Sequence, residues 1–209
     1  MPRAPRIDVP GAIHHVVATG NNRCLIVRDD VDRAAFVARL ARVSSASAWD
    51  VIAWCLMATH VHLVLRCNEV GLGRSMGRLL GGHARRFNER HDLEGHLWQA
   101  RYFDSIVDDE SYLVTSSVYV DLNPVRAELC DHPRSYRWCG YGATVTGEAA
   151  GAFRPDLLLA TIDADPARAR LRYARIVDKE AALLVAVRPS AVPASQAGTR
   201  GPSGTRRCA

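Results

Sequence analysis

Two apolar segments, 51–57 and 60–66, are separated by only two residues, Ala58 and Thr59. So short a link leaves them one arrangement, an antiparallel strand pair. The second segment reads His60-Val61-His62-Leu63-Val64-Leu65-Arg66. Successive side chains on a strand alternate faces, so His60 and His62 point the same way, with Cα atoms roughly 6–7 Å apart. Val61, Leu63 and Leu65 take the other face and can enter a core. Two imidazoles at this spacing can converge on one ion, although H-x-H alone more often marks two partly buried polar side chains.

The flanking pattern places this pair inside a larger sheet. Residues 12–19 read as a first strand ended by Gly20-Asn21-Asn22. Asp29 or Asp30 can cap a helix to about residue 45, with Ala34, Phe36, Val37, Leu40 and Val43 as its buried stripe. A second helix spans about 72–90, and 95–107 contains an extended segment. A third helix begins near Asp108-Asp109 and ends near Asn123-Pro124, because the residue before proline avoids the α region. The order β-α-β-β-α-β-α predicts an α+β fold, a ferredoxin-like antiparallel sheet with packed helices.

Composition narrows the function classes. The 209 residues suit one domain plus an appendage, and 48% hydrophobic content allows a sizeable core. No apolar run approaches the roughly 20 residues a membrane span needs. No apolar stretch follows Met1-Pro2-Arg3 as it would in a secretory signal, so a cytoplasmic protein is expected. The six cysteines form no C-x-x-C pair, which argues against a zinc cage. Net charge is +5 and only Lys179 of the 27 basic residues is not arginine. Arginine favours bidentate contact with phosphate, so a polyanionic partner is expected.

Character changes after about residue 147. Residues 163–187 predict a separate helix with Pro166 in its first turn. From 188 onward Pro, Ser, Gly, Ala and Thr dominate, a composition that predicts disorder. The chain therefore divides into a main domain over 1–147, a helical extension over 148–187 and a tail over 188–209.

Several runs recur in a fixed order: Pro10-Gly11-Ala12-Ile13-His14-His15-Val16, Trp54-Cys55-Leu56-Met57 before the histidines, Gly95-His96-Leu97-Trp98-Gln99-Ala100-Arg101-Tyr102, and Tyr119-Val120-Asp121-Leu122-Asn123-Pro124-Val125-Arg126-Ala127. Over about 6–147 the series resembles the REP-associated tyrosine transposases. These are domesticated relatives of the single-tyrosine transposases of small insertion sequences, within the HUH endonuclease superfamily. The H-x-H strand is shared across that superfamily; the L-N-P-V-R-A run is much more specific to this branch.

The resemblance implies that His60 and His62 bind a divalent metal and that Tyr119 is the nucleophile. Asn123 falls where related enzymes carry a glutamine that completes the metal site. It also implies cleavage and joining of single-stranded DNA, at hairpin-forming repeats, through a 5′-phosphotyrosine. Mg²⁺ is the expected ion with Mn²⁺ able to substitute, no nucleotide cofactor is needed, and the protein is expected as a monomer or homodimer. Thr59 is a departure, since the family usually has asparagine before the first histidine. Tyr112 is the rival nucleophile, seven residues earlier on a similar helix face, but without an amide at i+4. Arg74, Arg78 and Arg85 form a stripe on the second helix and, with Arg101 and Arg126, are the DNA-binding candidates. Trp98, Tyr102 and Phe103 are aromatics that can stack on bases or fill the core. His14, His15, His83, His91, His96 and His132 lack ligand spacing and read as structural or surface residues. The competing function class is a non-catalytic binder of structured DNA or RNA on the same fold.

Overall fold

A computed structural model describes residues 9–69, 71–148 and 151–188. Four strands, β1 (Ile13–Thr19), β2 (Trp49–Leu56), β3 (His60–Cys67) and β4 (Phe103–Val107), form one antiparallel sheet in the order β2-β3-β1-β4. Helix α1 (Asp30–Ala46) links β1 to β2, and α2 (Leu72–His91) links β3 to β4. This is the ferredoxin-like arrangement the element order predicts. β2 and β3 are joined at Ala58-Thr59, where Met57 N–H donates to the His60 carbonyl at 2.9 Å.

The sheet separates two apolar cores. Val16, Ala18, Val61, Leu63 and Leu65 face α1 and α2, packing on Phe36, Leu40, Met76 and Leu79. On α1, Asp29 caps the N-terminus by accepting from Asp32 N–H at 3.0 Å. Ala34, expected in the buried stripe, is exposed. Two residues at about 100° each carry it to the far side of the helix from Phe36.

The opposite face carries Ile52, Ala53, Cys55 and Val64 against α3 (Glu110–Asp121). A β-bulge between Val51 and Ala53 lets both Ile52 and Ala53 serve this side. Helix α3 is capped by Asp109, which accepts from Tyr112 N–H at 2.7 Å. It ends at Asp121, and Asn123-Pro124 opens a new short helix, α4 (Asn123–Arg126), rather than a loop. Proline has no N–H to contribute and suits a first turn, so the helix stop doubles as a helix start. Further helices α5 (Tyr141–Thr146), α6 (Asp156–Ile162) and α7 (Pro166–Ala186) follow. Their Tyr141, Leu158, Ala169, Tyr173 and Val177 join the core beneath α3. Helix α6 has no counterpart in the sequence reading. The tail expectation beyond 188 lies outside the described residues.

Candidate active site

The side of the sheet facing α3 gathers the chemistry. His60 and His62 on β3 lie on the same face with ring centroids 5.0 Å apart and planes at 80°. The turn before them is clamped by the segment between β1 and α1: Gly20 N–H donates to the Thr59 carbonyl at 2.8 Å and Ile26 N–H to that of Ala58 at 2.8 Å. Only glycine fits at position 20, since a Cβ there would run into the Cys24 carbonyl and stand 3.2 Å from that of Thr59. The histidine pair is thereby held on rigid backbone.

Tyr119 projects from α3 toward the pair. Its ring lies edge-on to His62 with centroids 5.7 Å apart, and it stays 41% exposed, open to a large substrate. One helical turn later, Asn123 is buried, and its Nδ2 donates to the Tyr119 and Val120 carbonyls at 2.9 and 3.3 Å. With the nitrogen engaged, the amide oxygen remains for His60, which lies within hydrogen-bonding reach. Arg126 follows on α4 and covers the other side of the nucleophile candidate, its guanidinium 4.7 Å over the Tyr119 ring.

The imidazoles are electrically neutral near pH 7. Burial is the main cause, pushing His62 down to about 3 with help from neighbouring His60, His15 and Arg126. Burial also lowers His60 and His15. Neutral imidazole is the form that ligates a cation. Among the described residues no three His, Cys, Asp or Glu side chains form a metal-holding group by themselves. Two imidazoles and an amide oxygen are the donors that could hold a divalent cation here.

The remaining candidates are placed apart. Arg74, Arg78 and Arg85 are exposed on α2, so the sheet lies between them and Tyr119. Arg101 is exposed in the loop before β4. Tyr112 is 37% exposed and makes no ring contact with His15, His60 or His62 among the described residues. Trp98 is tied into the α2 side by its Nε1–H to the Leu80 carbonyl at 2.9 Å, and Tyr102 is buried. Phe103 is 62% exposed and pairs with Val17, itself the partner of His62.

One residue read as structural or surface belongs here. His15, on β1, packs against His62 with ring centroids 5.7 Å apart and against Tyr119 at 5.9 Å. Only strand register brings it there, and β1–β3 pairing between residues 47 apart leaves no local signal.

Residues 8–123 match the family model of the IS200-like transposases, and the matched stretch ends on Asn123. The chain belongs to that family. A solved REP-associated tyrosine transposase bound to a REP hairpin superposes with a TM-score of 0.60 at 14% identity, covering 73% of this chain and 90% of that one. This likeness is one of fold. A second structure, described as a Deinococcus radiodurans transposase, gives a TM-score of 0.41 at 19% identity over 54% of this chain and 91% of that one. No curated protein sequence matches the chain. No helix among the described residues of this IS200-like transposase is long and apolar enough to cross a membrane.

Proposed function

We propose that this transposase cuts and rejoins single-stranded DNA at hairpin-forming repeats, with Tyr119 as nucleophile and a divalent cation held by His60, His62 and Asn123. The observation that carries the reading is the convergence of these four side chains, from β3, α3 and α4, on one open face. The solved neighbour's REP hairpin supports the choice of substrate. Mg²⁺ is the proposed ion and Mn²⁺ a substitute that imidazole favours. When bound, the ion withdraws charge from the scissile phosphate and orients it.

The chain's own residues supply the rest. The Tyr119 oxygen attacks phosphorus in line, releasing its proton to solvent, and a P–O bond to tyrosine forms as the bond to the 3′ oxygen breaks. The 3′ oxygen takes up a proton and leaves as a hydroxyl. One phosphodiester replaces another, so no nucleotide cofactor is needed, and a returning 3′-OH reverses the step. Residues 1–147 are the proposed transposase module, with 148–187 as its helical extension.

The test is incubation with single-stranded hairpin oligonucleotides from DNA flanking the gene, with Mn²⁺, followed by denaturing detection of a protein–DNA adduct. Tyr119→Phe should abolish the adduct and Tyr112→Phe should preserve it. Mapping of DNA to Tyr112 would overturn the nucleophile assignment. Tight binding with no cleavage would favour a non-catalytic binder.

A further inference from the structure

Each site histidine has one ring nitrogen engaged by a neighbour. His60 Nδ1 lies 3.0 Å from Thr59 Oγ1, and His62 Nδ1 lies 3.4 Å from His15 Nε2. Two different neighbours, one on the β2–β3 turn and one on β1, thus address the same atom of the two rings. In both rings Nε2 is the nitrogen that these two neighbours do not address, and His60 also interacts with Asn123, the third proposed ligand.

A neutral imidazole carries one N–H and one lone pair, and its partners decide which nitrogen has which. If Nδ1 accepted from Thr59 or His15, Nε2 would carry the proton and present no lone pair. If Nδ1 donates, both Nε2 atoms are acceptors. The threonine hydroxyl and a neutral imidazole nitrogen can each accept such a bond. The His15 and His62 rings lie within 26° of parallel with centroids 5.7 Å apart, an arrangement that suits an in-plane hydrogen bond between the two nitrogens.

We propose that Thr59 and His15 are positioning residues, accepting hydrogen bonds from Nδ1–H of His60 and His62 and thereby presenting both Nε2 lone pairs to one cation. The proposal rests on the metal reading of the site and adds the two residues that orient its imidazoles. Ligating histidines elsewhere depend on such partners, whose loss costs 10- to 100-fold in metal affinity or activity. His15 in this role must hold its own proton on Nδ1, so the arrangement is a directed chain from His62 to His15.

The experiment uses the full chain, ¹⁵N-labelled and metal-free, with ring nitrogen shifts reporting tautomers, alongside Mn²⁺ titration followed by electron paramagnetic resonance. Wild type should show His60 and His62 protonated at Nδ1. His15→Phe keeps an aromatic ring at this place but removes the acceptor. It should release the His62 tautomer and weaken Mn²⁺ binding about 10- to 100-fold. His15→Gln, whose amide oxygen can occupy the Nε2 place, should restore most of both. Thr59→Val should release His60 in the same way and Thr59→Ser should restore it. Because Thr59 lies on the turn, that pair decides the matter even if position 15 tolerates no change. Either histidine protonated at Nε2 in wild type, or tautomers unchanged in folded His15→Phe and Thr59→Val, overturns the proposal. A wild-type protein that binds no Mn²⁺ would instead remove the metal reading, while the metal-free tautomers would still decide the positioning roles.

Discussion

The guanidinium of Arg126 sits 4.7 Å above the Tyr119 ring and donates from Nη1 to the Tyr119 carbonyl at 3.2 Å. One side chain thus holds the ring from its face and the helix end from its backbone. A cation over the ring favours the electron-rich oxygen that develops when the phenol loses its proton. Such contacts are worth about 0.5–2 kcal/mol, so Arg126→Ala should slow adduct formation roughly two- to thirtyfold in single turnover at saturating DNA. Arg126→Lys should fall between, because ammonium lacks the planar stacking surface. An unchanged rate with weakened DNA binding would return Arg126 to the DNA-binding role that sequence alone suggests.

Arg74, Arg78 and Arg85 lie across the sheet from Tyr119, so binding and chemistry should separate. Removing any one should weaken binding to all sequences alike and lower the salt slope by about one unit. The adduct rate at saturating DNA should not change. Titrations at several salt concentrations check the first statement and single-turnover assays the second.

Tyr173 on α7 donates its hydroxyl to Asp121 Oδ2 at 2.7 Å, two residues from Tyr119. The other Asp121 oxygen has no partner among the described residues, and burial pushes this carboxyl up to about 7. The extension is therefore pinned to the helix that carries the nucleophile candidate. Tyr173→Phe should cost about 1–3 kcal/mol by stranding a buried acceptor. Thermal unfolding should show a drop of roughly 2–4 °C for each kcal/mol lost.

The fold was legible because its signals are local. The two-residue link at Ala58-Thr59 fixes the β2–β3 pair, and Asp29 and Asp109 mark helix starts within the sequence itself. His60 and His62 share a face by strand periodicity, and Tyr119 and Asn123 by helical periodicity. His15 escaped because its place beside His62 depends on register between β1 and β3, which no local pattern encodes. Arg126 is a DNA-binding candidate on the sequence alone, which cannot show that its guanidinium lies over the Tyr119 ring. Asp121 escaped for the same reason, since its partner Tyr173 lies 52 residues away.

A charge network ties the start of α1 to the end of α2 and should set the response to acid. Arg90 contacts Asp29 at 2.7 and 2.9 Å and Asp32 at 2.6 Å, and His91 Nε2 lies 2.8 Å from Asp32. The Arg90 hydrogen bonds, with the Asp32 N–H, hold Asp29 down at about 2. Burial works to raise Asp32, but the Arg28 N–H, His91 and Arg90 outweigh it and leave it below its usual value. A depressed carboxyl stabilises the fold above its unfolded value of 3.8, and that contribution is lost as pH falls toward 2. Melting temperature should therefore drop between pH 5 and pH 2, and Arg90→Ala should make the drop shallower. Equal slopes in both proteins would remove the network from the acid response.

Phe103 lies in the cross-strand row Phe103–Val17–His62, on the face that holds His62 and Tyr119, and is 62% exposed. No apolar core covers it, unlike Trp98 and Tyr102 in the same loop and strand region. An exposed aromatic on the site face can stack on an unpaired base without reading its identity. Such stacking is worth about 1–3 kcal/mol per base, or roughly 5- to 150-fold in affinity. Phe103→Ala should weaken binding of hairpins with unpaired flanks by that factor, and Phe103→Trp should preserve it. Blunt hairpins without flanks should bind both proteins alike. Equal losses for flanked and blunt hairpins would place Phe103 against the duplex stem or in the fold instead.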